Sequence, residues 1–471
     1  MTDPSVAPAP HPAQRPLASL DGAADFRPQV LVCGGGCAGL VAALAAARNG
    51  ARTLLVKRAG FAGGIITSVG LPYFDGIADY RQHRVVTPGI PLELFAAMGA
   101  CRPDATHLPS HNPTIDSVER FKLVADRLLQ AEPNLRVLFH TVACDVAMAG
   151  DGIRTVYLAN KAGLTRVEPA VVVDCTGDAD IAARAGAPVE TSAELQPMTL
   201  HFRIGNVRRR DDTARLCREA VVRAHQRGEL PLFYGPGLSF RFAPDEAYVH
   251  AVRVPGNGAD PHDLTRAEMQ GRRDAWVMFE AWCREVPGFE EAYFIASGPC
   301  IGVRETRRIV GAYVLTEQDI LAGREFPDAI ATGCWYLDQH PNAATVGTAN
   351  QGQKMQPEPY DIPYRTLLPQ RVANLLVAGR CHSATQLAAS STRVNATAMA
   401  LGQAAGTAAA LAARGGMGPH EVPDQRLRRV LAEQGAGPVG HPIPGRPLRE
   451  LDPGRGPEAP ASGSALLHPG A

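Results

Sequence analysis

Residues 29–58 read QVLVCGGGCAGLVAALAAARNGARTLLVKR, and this stretch decides the fold. Apolar Val30, Leu31 and Val32 predict a short buried strand over 29–33. Gly34, Gly35 and Gly36 end it in a turn. The small apolar residues over 38–49 predict a buried helix, with Gly50 as its C-cap. A second strand follows over 52–57. Strand, glycine turn, helix and strand within about thirty residues is the setting in which Gly34, Gly36 and Gly39 read as G-x-G-x-x-G. Gly34 permits the tight turn, Gly36 lets a pyrophosphate approach the backbone, and Gly39 lets the helix pack on the strand. The free N–H groups and dipole at the helix start, where Cys37 and Ala38 stand, favour a dinucleotide's phosphates.

The rest of the chain sets bounds. Its 471 residues suggest two or three domains, and 45% apolar against 20% charged residues is an ordinary globular balance. A formal net charge of zero offers no global field for nucleic acid or an anionic membrane. The N-terminal segment lacks a basic region followed by an apolar run, so a cytoplasmic protein is expected. No membrane span is expected either, because the Ala-rich segment 404–413 is too short to cross a bilayer. The ten cysteines form no C-x-x-C pair and read as small core residues. Cys33 and Cys37 leave a redox role open beside that reading. No H-E-x-x-H, G-x-S-x-G or Walker pattern occurs, so no metal site is expected. Residues 1–27 and 437–471 are rich in Pro and Gly or Ala, and are expected to be disordered.

Three further pieces accompany the first turn. FAGG puts Gly63 and Gly64 just past the second strand, where paired glycines let the chain pass close to a bulky ligand. VVVDCTGDAD ends an apolar strand in Thr176, Gly177 and Asp178 before a helix. NLLVAGRCHSATQLAASSTRVNATAMALGQAAG runs from a strand through Gly379 and Arg380 into a polar loop. A long helix follows over 395–413, in which Gly402 and Gly406 allow tight packing. Between the third and fourth pieces lie predicted helices over 211–227 and 265–286, the latter with a Thr265…Glu268 capping box. A strand is predicted over 246–254. A helix over 117–130 capped by Ser117, and strands over 136–148, 154–160 and 167–174, precede that middle segment.

These four pieces, with QPMTLHFRIG, IGVRETRRIVGAYVLTEQDIL and YDIPYRTLLP between them, resemble the FAD-dependent oxidoreductases related to fumarate reductase and succinate dehydrogenase flavoproteins. The likeness covers about 29–436. It implies an α/β fold, with a discontinuous, three-layer, Rossmann-like FAD domain over 28–190 and 360–436. An α+β substrate domain is inserted over 191–359. The implied cofactor contacts are Gly34, Gly36, Cys37, Ala38, Gly39, Lys57, Arg58, Gly63, Gly64, Gly177, Asp178, Gly379, Arg380 and Gly402. The implied reaction is hydride transfer between a small organic substrate and the flavin, and a homodimer is allowed for.

Such a reaction needs a base for the second proton. His382, in the loop beside the expected flavin ring, is the first candidate. His340 in WYLDQHP and His201 come next, and Arg393 could touch substrate or flavin. If VRETRR is helical, Arg304 and Arg308 share a face and suit a carboxylate. The alternative is a Glu–Arg network tying domains together. Two positions depart from the family. Gln386 stands where a histidine is common, and Lys57 replaces the acid that grips a ribose. With Lys57, three readings stay open: FAD held without its ribose acceptor, an NADP-type phosphate site, or a cofactor-free binding subunit. On the first, Lys57→Glu is expected to tighten FAD if the missing acceptor matters.

Overall fold

A computed structural model describes residues 26–230, 237–240, 242–340 and 355–440, with the backbone of 449–450. Most of the two segments expected to be disordered lies outside the described residues. Phe26, within the first of them, is bridged to Val167.

The centre is a five-stranded parallel sheet. β1 (Val30–Cys33) lies between β2 (Thr53–Val56) and β4 (Val171–Asp174). β3 (Leu135–Leu138) extends one side and β5 (Leu375–Val377) the other. Every residue of β1, β2, β4 and β5 is buried, as expected of parallel strands covered on both faces. Helix α1 (Cys37–Arg48) follows the glycine turn. Its Leu and Ala side chains are buried almost all round, so it is a core helix rather than an amphipathic one.

Two other helices shape the molecule. α2 (Pro261–Glu285) packs Met278, Ala281 and Trp282 into a separate core with Phe202 and Phe289. That core belongs to an antiparallel sheet of Leu238–Ser239, Ala247–Val249, Phe202–Gly205 and Tyr293–Ser297. α3 (Asn395–Gly415) packs along α1. A Cβ on Gly402 would lie 2.1 Å from the Ala38 carbonyl oxygen, and one on Gly406 2.1 Å from that of Ala42. The two glycines, four residues apart, thus face two carbonyls four residues apart on α1, and the helix backbones touch.

The structure corrects several local expectations. The run 136–148 is two strands, because His140 takes φ 50° and turns the chain. β3 joins the parallel sheet, and Val142–Ala149 opens a three-stranded antiparallel meander with Gly152–Asn160 and Gly163–Val167. The strand expected over 246–254 shrinks to Ala247–Val249. α2 begins at Pro261, not Thr265. The Asp260 carboxylate accepts the N–H groups of His262 and Asp263, and the Thr265 hydroxyl merely donates to the Pro261 carbonyl. α3 reaches 21 residues with mean hydropathy 1.2, long and apolar enough to cross a membrane by length and composition. It is instead the core helix against α1, with 83% of that stretch buried.

Candidate active site

The glycine turn shows three kinds of fit. Gly34 has φ 101°, and a Cβ there would stand 2.4 Å from the Cys175 carbonyl oxygen. A Cβ on Gly39 would stand 1.7 Å from the Gly34 oxygen. Both glycines are demanded by close backbone packing. Gly36 differs: the nearest atom to its missing Cβ is the Gly64 Cα at 3.9 Å. It is the N-cap of α1, and no side chain caps the helix there. The first N–H groups of α1 therefore lack intrahelical partners beside open space.

The second glycine pair is clamped to the first. Gly63 N–H donates to the Gly35 carbonyl at 3.0 Å, and the Cys37 thiol donates to the Gly63 carbonyl at 3.1 Å. Burial pushes the Cys37 thiol up to about 11, so it is a protonated donor at neutral pH. Burial raises Cys33 as well, and this favours the core-residue reading of both cysteines over the redox one.

At the end of β4, buried Asp174 accepts Thr176 N–H and Oγ1 and the Ile181 and Ala182 N–H groups. This fixes the turn that carries Gly177 and Asp178. Asp178 meets Arg380 at 2.7 Å and accepts the Thr306 hydroxyl at 2.5 Å. Burial works against the Asp178 carboxylate, but Arg380 and these hydrogen bonds hold it below the usual range. Gly379 has φ 89°, and its missing Cβ would lie 3.0 Å from the Ala38 Cβ. Lys57, half-buried at the end of β2, lays its side chain over Gly35, while Arg58 is exposed.

A second cluster lies one short turn away. Residues 65–69 follow Gly64, and their Ser68 carbonyl accepts the Cys300 N–H at 2.9 Å. Gly298 N–H donates to the His201 carbonyl at 2.9 Å. His201 Nδ1 is 2.7 Å from the Tyr248 hydroxyl, and the Tyr248 ring is stacked with His250 at 5.9 Å and set edge-on to Tyr73 at 6.0 Å. Arg253 donates to the Thr199 hydroxyl at 2.7 Å. Arg304 donates to the same hydroxyl and to the Pro197 carbonyl. His340 Nε2 lies 3.2 Å from Asp338, whose backbone and carboxylate oxygens accept Arg393. Burial lowers the His201 pKa, reinforced by His250, Arg304 and Arg253. Burial also lowers His340, against the pull of Asp338 and with that of Arg304 and Arg253. Both rings are therefore neutral at neutral pH, chiefly because they are buried, with Arg304 and Arg253 near both and Asp338 beside His340.

Residues 29–431 match the sequence model of a family described as FAD dependent oxidoreductase. The chain belongs to that family. It is an FAD-dependent enzyme, and the glycine geometry fits the cofactor, because of Gly34, Gly36 and Gly39 only Gly36 has room for an added Cβ, and it stands at an uncapped helix start. Solved structures with a similar fold include a geranylgeranyl bacteriochlorophyll reductase-like protein from Thermoplasma acidophilum. It is 12% identical with TM-score 0.44, over 87% of this chain and 84% of that one. The myxobacterial FAD-dependent halogenase CndH is 13% identical with TM-score 0.43, over 87% and 81%. OxyS anhydrotetracycline hydroxylase from Streptomyces rimosus is 15% identical with TM-score 0.41, over 87% and 66%. No curated protein matches the sequence.

In this FAD-dependent oxidoreductase the residues expected at the cofactor, Lys57 and Arg58 at the end of β2 apart, fall into two groups. Gly34, Gly36, Cys37, Ala38, Gly39, Gly63, Gly64, Gly379 and Gly402 gather around the start of α1, with Gly402 filling a helix–helix contact. Gly177, Asp178 and Arg380 form a neighbouring ion-paired corner. His382 is 0% exposed, with Nε2 2.7 Å from the Thr392 hydroxyl. Burial and the nearby Arg308 push its pKa down to about 3. Gln386 is tied to the Glu194 carbonyl and to Glu305.

The run VRETRR is not helical. Arg307–Ile309 is a strand paired with Val189–Thr191, which sends neighbouring side chains apart. Arg307 pairs with Asp180, and buried Arg308 pairs with Glu305 in a network that includes Ser192. Arg304 alone of these reaches the His201 cluster. Arg253, Tyr248, His250, Thr199 and Asp338 carry no local sequence signal, because strand pairing and loop packing bring them together. Among the described residues no group of His, Cys, Asp and Glu is arranged to hold a metal ion.

Proposed function

We propose that the enzyme oxidises or desaturates a small organic acid. The observation that carries this reading is the convergence of Arg253 and Arg304 on the Thr199 hydroxyl, beside the buried imidazoles of His201 and His340. Two guanidinium groups in a partly desolvated corner suit a carboxylate, which accepts paired N–H donors. When bound, FAD supplies the two-electron acceptor. The protein residues bind the substrate's negative end, orient the C–H bond that would yield its hydride, and take the second hydrogen as a proton from the adjacent carbon or hydroxyl.

His340 is the proposed proton acceptor. Its ring is neutral, so it can accept a proton, and Asp338 would stabilise the resulting imidazolium. Arg393 is a positioning residue in this reading, since it holds Asp338. His201 and Tyr248 line the anion end. His382 holds the loop through Thr392 rather than touching substrate. We place residues 191–359 as the substrate-facing domain between two pieces of the FAD domain. Within the family, the motifs quoted above support kinship with fumarate reductase and succinate dehydrogenase flavoproteins. The same arrangement run backwards would be a reductase.

The test is anaerobic bleaching of the flavin absorbance by a panel of organic acids, each paired with its amide. Acids are expected to bleach the flavin while their amides do not, and Arg304→Leu is expected to raise the concentration of acid required. Amides that bleach as well as acids, or an Arg304→Leu enzyme that keeps the parent preference, would overturn the reading.

A further inference from the structure

We propose that Lys57 is a ligand of the FAD diphosphate, so that this chain holds by phosphate charge what an acid at the same strand end would hold by ribose hydroxyls. Three observations place it there. First, the Lys57 side chain runs back toward the glycine turn. Its Cβ, Cγ and Cδ lie 3.3, 3.5 and 3.5 Å from where a Cβ on Gly35 would be. A side chain aimed along the strand toward the ribose, or out to solvent, would not cover Gly35. Secondly, Gly35, which the stem covers, directly precedes Gly36, the N-cap of α1, so the Lys57 side chain lies on the turn that leads to the uncapped helix start. Thirdly, among the described residues no carboxylate forms an ion pair with it, and the neighbouring full charge is the cation Arg58. Burial, then Arg58, lower its pKa.

A lone, half-desolvated cation near the positive end of a helix is electrostatically unfavourable by itself. An anion at the helix start reverses that balance, since it satisfies the uncapped N–H groups and the ammonium together. A diphosphate is the part of FAD that carries negative charge. Hydrogen bonds between two charged groups are also stronger than those to neutral ribose hydroxyls. Lys57 therefore does not mark a weakened cofactor site. It shifts the recognition from sugar to phosphate.

The test titrates FAD into flavin-stripped protein, following flavin fluorescence, for the parent, Lys57→Met, Lys57→Arg and Lys57→Glu at low and high salt. Lys57→Met is expected to weaken FAD by about 10- to 100-fold at low salt and to flatten the salt dependence. Lys57→Arg keeps the cation and is expected to retain most of the affinity. Lys57→Glu is expected to bind more weakly than Lys57→Met. Inorganic pyrophosphate is expected to compete with FAD in the parent better than in Lys57→Met. The proposal is overturned if Lys57→Glu binds FAD as tightly as the parent or more tightly, the result a missing ribose acceptor would give. It is equally overturned if Lys57→Met keeps the parent's affinity and salt dependence. Thermal unfolding of the stripped proteins separates folding from binding: Met preserves the aliphatic stem over Gly35, so its melting temperature is expected to match or exceed the parent's.

Discussion

Replacing Gly36 by alanine separates what the glycine turn does for the fold from what it does for the cofactor. Gly36 has φ −72° and ψ −165°, an extended conformation open to any residue. An added methyl would meet no protein atom nearer than the Gly64 Cα at 3.9 Å. As an N-cap, alanine is somewhat worse than glycine, but it also restricts the unfolded chain; each effect is roughly 0.5–1 kcal/mol, with opposite sign. The stripped protein should therefore melt within a few degrees of the parent. The cofactor meets a different situation, because the methyl points into the space a phosphate must enter to reach the helix N–H groups. Loss of one charge-assisted hydrogen bond costs about 1.5–3 kcal/mol, or roughly 10- to 100-fold in the FAD dissociation constant. Gly34→Ala provides the contrast. With φ 101° and the Cys175 oxygen 2.4 Å from the new methyl, strain and overpacking together cost about 2–5 kcal/mol of folding stability. Circular-dichroism melting of stripped protein and fluorescence titration with FAD measure the two effects separately. The reasoning fails if Gly36→Ala binds FAD like the parent, or if it loses as much stability as Gly34→Ala.

Three further predictions concern the scaffold. Gly406→Ala sets a methyl 2.1 Å from the Ala42 carbonyl oxygen; overpacking of about 1–3 kcal/mol outweighs the roughly 1 kcal/mol gained in helix propensity, so the urea midpoint is expected to fall. Asp274 is buried in α2 with Oδ2 unbonded, and burial pushes its pKa up to about 6. Its folded pKa lies above the unfolded value of 3.8, so stability is lost as pH rises from there through 6; Asp274→Asn is expected to raise the melting temperature at pH 7.5 and not at pH 4, by on the order of 2 kcal/mol of stability. His382 is the opposite case, with a folded pKa of about 3 below the unfolded 6.5, so its contribution is present above pH 6.5 and lost as pH falls toward 3. His382→Gln is expected to flatten the melting-temperature profile between pH 6.5 and 4, and an unchanged slope would remove His382 from the account.

The parts of this molecule that were legible in the sequence share one physical property: their partners are close along the chain. Strand, glycine turn and helix over 30–48 could be read because each glycine's demand is set within a few residues, as Gly39 is by Gly34. Ser117 could be read as a cap because its hydroxyl accepts the N–H of Arg120, three residues on. Even locally, two valid signals can compete. Thr265 has the spacing of a helix start, but the structure caps the helix at Asp260, because Pro261 fits the first helical position and the Asp260 carboxylate accepts two N–H groups. VRETRR failed for a tertiary reason. Its helical spacing is genuine, but pairing with Val189–Thr191 supplies backbone hydrogen bonds that a helix would have to replace. The cluster around His201 was illegible on the same ground. His201 immediately precedes the strand Phe202–Gly205 and Tyr248 lies on its neighbour Ala247–Val249, 47 residues apart in sequence, and Arg393 reaches Asp338 across 55. A spacing argument has nothing to hold at such separations. It was possible, though, to ask which chemistry-bearing residues stand at the ends of strands, where side chains are held rigidly while the chain is about to leave the sheet. Lys57 stands at such a place, and its replacement of an acid was visible from the start. What only the structure supplies is the direction of its side chain, back over Gly35 rather than onward along the strand, and that direction reverses the expected effect of restoring the acid.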